Sequence, residues 1–110
     1  MANISELTPT EFCERWPAGP RDDVTLLDVR EPAEWQTAQV AGALHIPMRT
    51  VPGRLDELDP AHTWVVMCHG GVRSLRVAEF LAASGYARVF NLTGGIDAWS
   101  LEIDSSVPRY

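Results

Sequence analysis

Apolar and polar positions divide the chain into short, dense apolar runs separated by amphipathic stretches. "VTLLDV" (Val24 to Val29), "TWVVMC" (Thr63 to Cys68) and "ARVFNL" (Ala87 to Leu92) are β-branched or aromatic-rich runs bounded by polar residues. Such runs predict strands buried on both faces. "ALHI", ended by Pro47, predicts a further short strand. Between them lie segments of helical character. Thr8, Pro9 and Glu11 form a capping signature for a helix reaching about Trp16, with Leu7 and Phe12 spaced as a hydrophobic staple. "PAGPRDD" then reads as a loop, and "EPAEWQ" as a helical turn with Pro32 near its start. "VPGRLDEL" (Val51 to Leu58) predicts a short amphipathic helix and "RSLRVAEFLAAS" a longer one stopped by Gly85. A last helix is expected around Ile96 to Leu101, after a glycine turn at Gly94 and Gly95. Strands alternating with helices, without hairpin signals, imply crossover connections. The expected fold is α/β, three layers (α/β/α) around a mainly parallel sheet, with ligands at the carboxyl ends of the strands.

Composition narrows the function classes. At 110 residues the chain is sized for one domain with one core, about 4–101, followed by a tail over 102–110. Nine basic residues against 15 acidic ones give a net charge of −6, which disfavours a nucleic-acid surface. No stretch approaches the roughly 18 apolar residues of a membrane span, and no leader pattern opens the sequence, so a cytoplasmic location is expected. Cys13 and Cys68 are then expected as free thiols, Cys13 as a small buried helix residue. His45, His62, His69 and the cysteines have no metal-ligand spacing, so no metal and no cofactor are expected.

The candidate chemistry lies in "VVMCHGGVRSLRVAEFL" (Val65 to Leu81). Cys68 stands where an apolar strand ends, and His69, Gly70, Gly71, Val72 and Arg73 must turn the chain into a helix. Glycines there allow backbone N–H groups to converge on one point, and the helix adds its positive end. A thiolate at that point is stabilised, and Arg73 can add a fixed charge. Asp28, Arg30 and Glu31 sit at a neighbouring strand end and read as an ion pair fastening that loop. Trp35, Trp64 and Trp99 read as core or rim packing.

Residues Cys68, Gly71, Arg73 and Ser74, with "LLDVREPAEW", "VAGALHIP" and "SGYARVFNLTGGIDAW", resemble the rhodanese-type sulfurtransferases over about Ile4 to Trp99. Relatives commonly read Gly-His-Ile where this chain has Ala38, Gln39 and Val40, a scaffold position. The resemblance implies that Cys68 carries a persulfide, that backbone from His69 to Arg73 cradles it, and that Arg73 holds a small anionic sulfur donor such as thiosulfate. His69 is either a docking group for the donor or a loop residue without chemical duty. The alternatives are a sulfur-relay or non-catalytic interaction module, which often lacks the cysteine, and a cysteine phosphatase or arsenate reductase. Those enzymes place five residues between Cys and Arg, whereas four separate Cys68 from Arg73. The tail pattern Asp104, Pro108, Tyr110 is similar to that of rhodanese domains attached to E1-like adenylyltransferases. That likeness implies a protein sulfur donor or acceptor, such as a desulfurase or a ubiquitin-like sulfur carrier.

Overall fold

A computed structural model describes residues 4–19 and 23–110. Residues 20–22 of the predicted "PAGPRDD" loop lie outside the described residues. Five parallel strands form one sheet in the order β1-β5-β4-β2-β3. They are β1 (Ser5–Leu7), β2 (Val24–Asp28), β3 (Leu44–His45), β4 (Thr63–Met67) and β5 (Arg88–Leu92). The helices are α1 (Pro9–Arg15), α2 (Pro32–Thr37), α3 (Val72–Ala83) and α4 (Gly95–Glu102).

Side-chain alternation along the strands divides the core into two layers. Leu27 and Val66 face α3, packing with Val77 and Leu81, while Leu26 and Val65 face α1 and α4, packing with Phe12 and Trp99. β4 pairs with β2 and β5, so its residues are buried throughout, which is why "TWVVM" shows no polar alternation. The α/β architecture with a parallel sheet is therefore as the apolar runs indicate. Trp64 and Trp99 lie in the core, and Trp35 stacks on His45 at 5.3 Å.

The capping box at Thr8 forms in full: Thr8 Oγ1 accepts from Glu11 N at 3.1 Å, and Glu11 Oε1 accepts from Thr8 N at 2.9 Å. Three expectations change. Val51 to Leu58 forms no α-helix; two 3-10 segments, Met48–Thr50 and Pro52–Glu57, fill this stretch. Pro52 stands at the first helical position, where proline is tolerated; it is Arg54, at φ −123° and ψ 17°, that leaves helical angles and interrupts the ladder. Cys13 is half-buried rather than buried. β1 has no counterpart in the sequence reading: of its three residues only Leu7 is buried, too few for a period to register.

No helix among the described residues is long and apolar enough to cross a membrane.

Candidate active site

Cys68 follows the last residue of β4, at the carboxyl end of the sheet's central strand. Three residues later the chain enters α3 through Gly71, whose φ of +108° is accessible to glycine at little strain. A side chain there would also crowd Gly94 N at 3.3 Å. This turn points the Gly71 N–H at Cys68 Sγ, 3.0 Å away. Gly70 needs no such freedom, since a Cβ there meets nothing within 4 Å. Its contribution is a backbone N–H toward the sulfur.

The floor of the loop is fixed by α4. Ile96 N donates to Cys68 O at 2.9 Å and Asp97 N to His69 O at 3.2 Å. Gly95 is what permits this approach, because a Cβ on it would collide with the carbonyls of Cys68 and His69. The pair Gly94 and Gly95, expected as a turn, thus also seats one helix directly under the cradle.

Ser74, fully buried in the first turn of α3, reaches Cys68 Sγ at 3.3 Å and Asn91 Oδ1 at 2.5 Å. Asn91 is oriented by its other end, where Nδ2 donates to Gly71 O at 3.0 Å and to Glu6 Oε1 at 3.1 Å. A hydroxyl has one hydrogen to give. Beside a neutral thiol it can serve Asn91 and accept from the S–H; beside a thiolate it can turn to the sulfur.

Cys68 is only 1% exposed. Burial pushes its pKa up, yet the net direction is down, because the Ser74 hydroxyl and the backbone N–H groups of Ser74, Gly71 and Gly70 together outweigh desolvation. The sulfur therefore sits in a dry nest of donors suited to an anion.

Arg73 lies in the same loop with its fork filled. Nη1 and Nη2 donate to Glu34 Oε1 and Oε2 at 2.6 and 2.9 Å. Glu34 is held at a pKa of about 2, first by Arg73 and in part by the Tyr110 hydroxyl, so the pair stays charged across ordinary pH. Arg73 and the Cys68 sulfur still act on each other through space. At the sequence level Arg73 is expected to meet an anionic donor; here its first partner is a carboxylate of the chain itself.

Asp28 and Arg30 form a buried ion pair, with Arg30 Nη2 to Asp28 Oδ2 at 2.7 Å and Nε to Oδ1 at 2.9 Å. Arg30 is fully enclosed, and donates in addition to Glu34 O, Ala38 O and the Tyr110 hydroxyl. Glu31 stands apart from this pair. It precedes α2, and its own side chain is exposed, 3.7 Å from Arg49. His69 stacks on Tyr110, ring centres 4.2 Å apart and 15° from parallel. Val72 is 69% exposed at the rim.

Glu34, Asn91 and Tyr110 are therefore site residues without a place in the sequence reading's site. Glu34 is signalled in sequence only as an acidic residue in a helical turn. Asn91 is a polar residue inside an apolar strand, the one signal that could have found it.

The sequence profile of the Rhodanese-like domain matches residues 14–102. The chain is 40% identical over 93 residues to "Rhodanese-like/PpiC domain-containing protein 12, chloroplastic" of Arabidopsis thaliana, covering 81% of this chain and 31% of that longer protein. It is 40% identical over 79 residues to a protein named "Sulfurtransferase" from Allochromatium vinosum, covering 72% and 74%. A thiosulfate sulfurtransferase of Glaesserella parasuis is 30% identical over 87% of this chain and 86% of its own. Among solved structures, a rhodanese-like domain protein from Staphylococcus aureus superposes with a TM-score of 0.81 at 29% identity, covering 97% and 99%.

Proposed function

Because the chain belongs to the rhodanese-like domain family, in which relatives are named sulfurtransferases, we propose that it moves sulfane sulfur from a small anionic donor to a thiophilic acceptor through a persulfide on Cys68. The observation that carries this reading is the nest around Cys68 Sγ, where hydrogen-bond donors favour an anion in spite of burial.

With thiosulfate as donor, the Cys68 thiolate attacks the outer sulfur. A Sγ–S bond forms, the bond to the sulfonate sulfur breaks, and sulfite leaves with the electron pair. In the second step cyanide or a thiolate attacks the outer sulfur, and Sγ departs as thiolate. No outside oxidant or reductant is consumed. The Ser74 hydroxyl and the N–H groups of Gly70 and Gly71 stabilise the anion on sulfur at the start and end of the cycle. Arg73, paired with Glu34, supplies positive field at the rim, and its pairing disfavours tight capture of the donor by that fork alone. Four residues between Cys68 and Arg73 favour sulfur over a phosphoryl group as cargo.

The test is intact mass after incubation with thiosulfate, in the wild type and in Cys68→Ser. One added sulfur that is lost on treatment with cyanide, and absent from Cys68→Ser, is the expected result. An unmodified wild type, tested also with mercaptopyruvate and with a protein persulfide, would remove the persulfide mechanism.

A further inference from the structure

The family profile ends at residue 102, yet the residues beyond it return to the site. Asp104 N donates to Trp99 O at 3.1 Å, and Asp104 Oδ1 accepts from Ser106 N at 3.0 Å, which turns the chain back along α4. Val107 is buried in the core, and its carbonyl accepts from Ser100 Oγ at 2.7 Å. Arg109 donates to Asp97 Oδ1 at 2.8 Å and Oδ2 at 3.3 Å. Tyr110 then spans two rims. Its ring lies on His69, next to Cys68 in the cradle loop. Its hydroxyl donates to Glu34 Oε2 at 2.7 Å and accepts from Arg30 Nη1 at 3.1 Å, on the β2–α2 side.

We propose that residues 104–110 form a strap over the cradle and that Tyr110 is a specificity-determining residue, setting how large an acceptor thiol can reach Cys68. This rests on the sulfur-transfer reading above for its biological sense, though not for its test. One side chain touches both His69 of the cradle loop and Glu34 of α2, while Cys68, the residue before His69, is 1% exposed. The outer anchor, Arg109 with Asp97, is solvent-exposed on the arginine side, at 57%, and such pairs are weak. The ring is therefore held firmly enough to narrow the opening and loosely enough for a docking acceptor to displace it. Small nucleophiles pass beside it; a protein-borne thiol must lift it.

Alkylation of Cys68 measures access without any sulfur transfer. In a Cys13→Ser background, second-order rates are compared for iodoacetamide and for a fluorescein maleimide. The bulky-to-small ratio should rise about fivefold in Tyr110→Ala, which loses the stack and both hydrogen bonds. Tyr110→Phe, which keeps the stack, and Asp97→Asn, which loosens the strap from outside the site, should give intermediate ratios. The ratio of kcat/KM for glutathione over cyanide as acceptors should move the same way. An unchanged alkylation ratio in all three variants, or equal acceleration of both reagents, would overturn the strap. A raised ratio in a protein that takes up no sulfur would sink the sulfurtransferase reading and leave the strap standing.

Discussion

The two cysteines of this chain are the same group in two surroundings. Cys13 lies on α1, half-buried, and burial raises its pKa. Cys68 is far more enclosed, yet its pKa falls. Exposure alone would rank them the other way round. What separates them is the set of donors that the β4–α3 turn aims at one sulfur. The order of the two pKa directions follows from donors aimed at the sulfur, the Ser74 hydroxyl first and the backbone N–H groups with it, rather than from accessibility, because in a dry site an oriented dipole acts with little screening.

Removing each sulfur in turn breaks that contrast most fully. Cys68→Ser should lower thiosulfate-to-cyanide turnover by about a thousandfold or more, as expected when a covalent nucleophile is lost. Cys13→Ser should stay within about twofold, since a half-buried helix residue tolerates a small polar replacement. Wild-type turnover in Cys68→Ser would end the assignment.

A smaller effect comes from trimming the nest. Ser74→Ala removes the one side-chain donor to Sγ among the described residues and leaves the backbone N–H groups in place. A hydrogen bond to a charged group contributes about 1.5–3 kcal/mol, so alkylation of Cys68 at mildly acidic pH should slow by about tenfold or more. The direction follows from linkage: losing a donor to the anion raises the pKa, and the thiolate population at fixed pH falls. A pH–alkylation profile that overlays the wild type would show that the hydroxyl serves Asn91 alone.

The smallest change expected is at the rim. Arg73→Ala should raise the alkylation pKa of Cys68, because it removes a positive charge and leaves the Glu34 carboxylate unopposed. The rate at low pH should fall only about two- to fivefold, since both side chains are partly solvated and water screens the charge that is changed. Arg73→Lys should recover charge without the two-pronged geometry, and Glu34→Gln added to Arg73→Ala should recover part of the loss. Unchanged profiles in all three would reduce Arg73 to a clamp for α2.

These contrasts also mark how far the sequence alone was informative. The strand β4 was readable because it buries both faces and so writes a continuous apolar run, and β2 and β5 because leucine, valine and aromatic residues dominate them. The Cys68 loop was readable because glycine, cysteine and arginine fall within six residues. Glu34 is 39 residues from Arg73, and Tyr110 is 76 from Glu34. Such pairings depend on how two crossovers bring separate strand ends together, which no local spacing encodes. Val51 to Leu58 misled because its amphipathic pattern survives in 3-10 geometry, and Pro52 stands at a first-turn position that an α-helix accepts equally well.

The strand order carries a consequence for how the molecule is made. β1 pairs with β5 in parallel, Ser5 opposite Phe90 and Leu7 opposite Leu92. During synthesis the β1 segment must therefore wait through some eighty further residues for β5, its neighbour in the sheet. Glu6 waits with it, and Glu6 is what holds Asn91 and Thr93 at 2.8 to 3.2 Å. On a ribosome the Cys68 turn can thus be fully translated while its outermost brace is still unpaired. Arrested chains in which β4 has left the ribosome while β5 is still inside it should be the ones most exposed to unwanted pairing along the bare edge of β4.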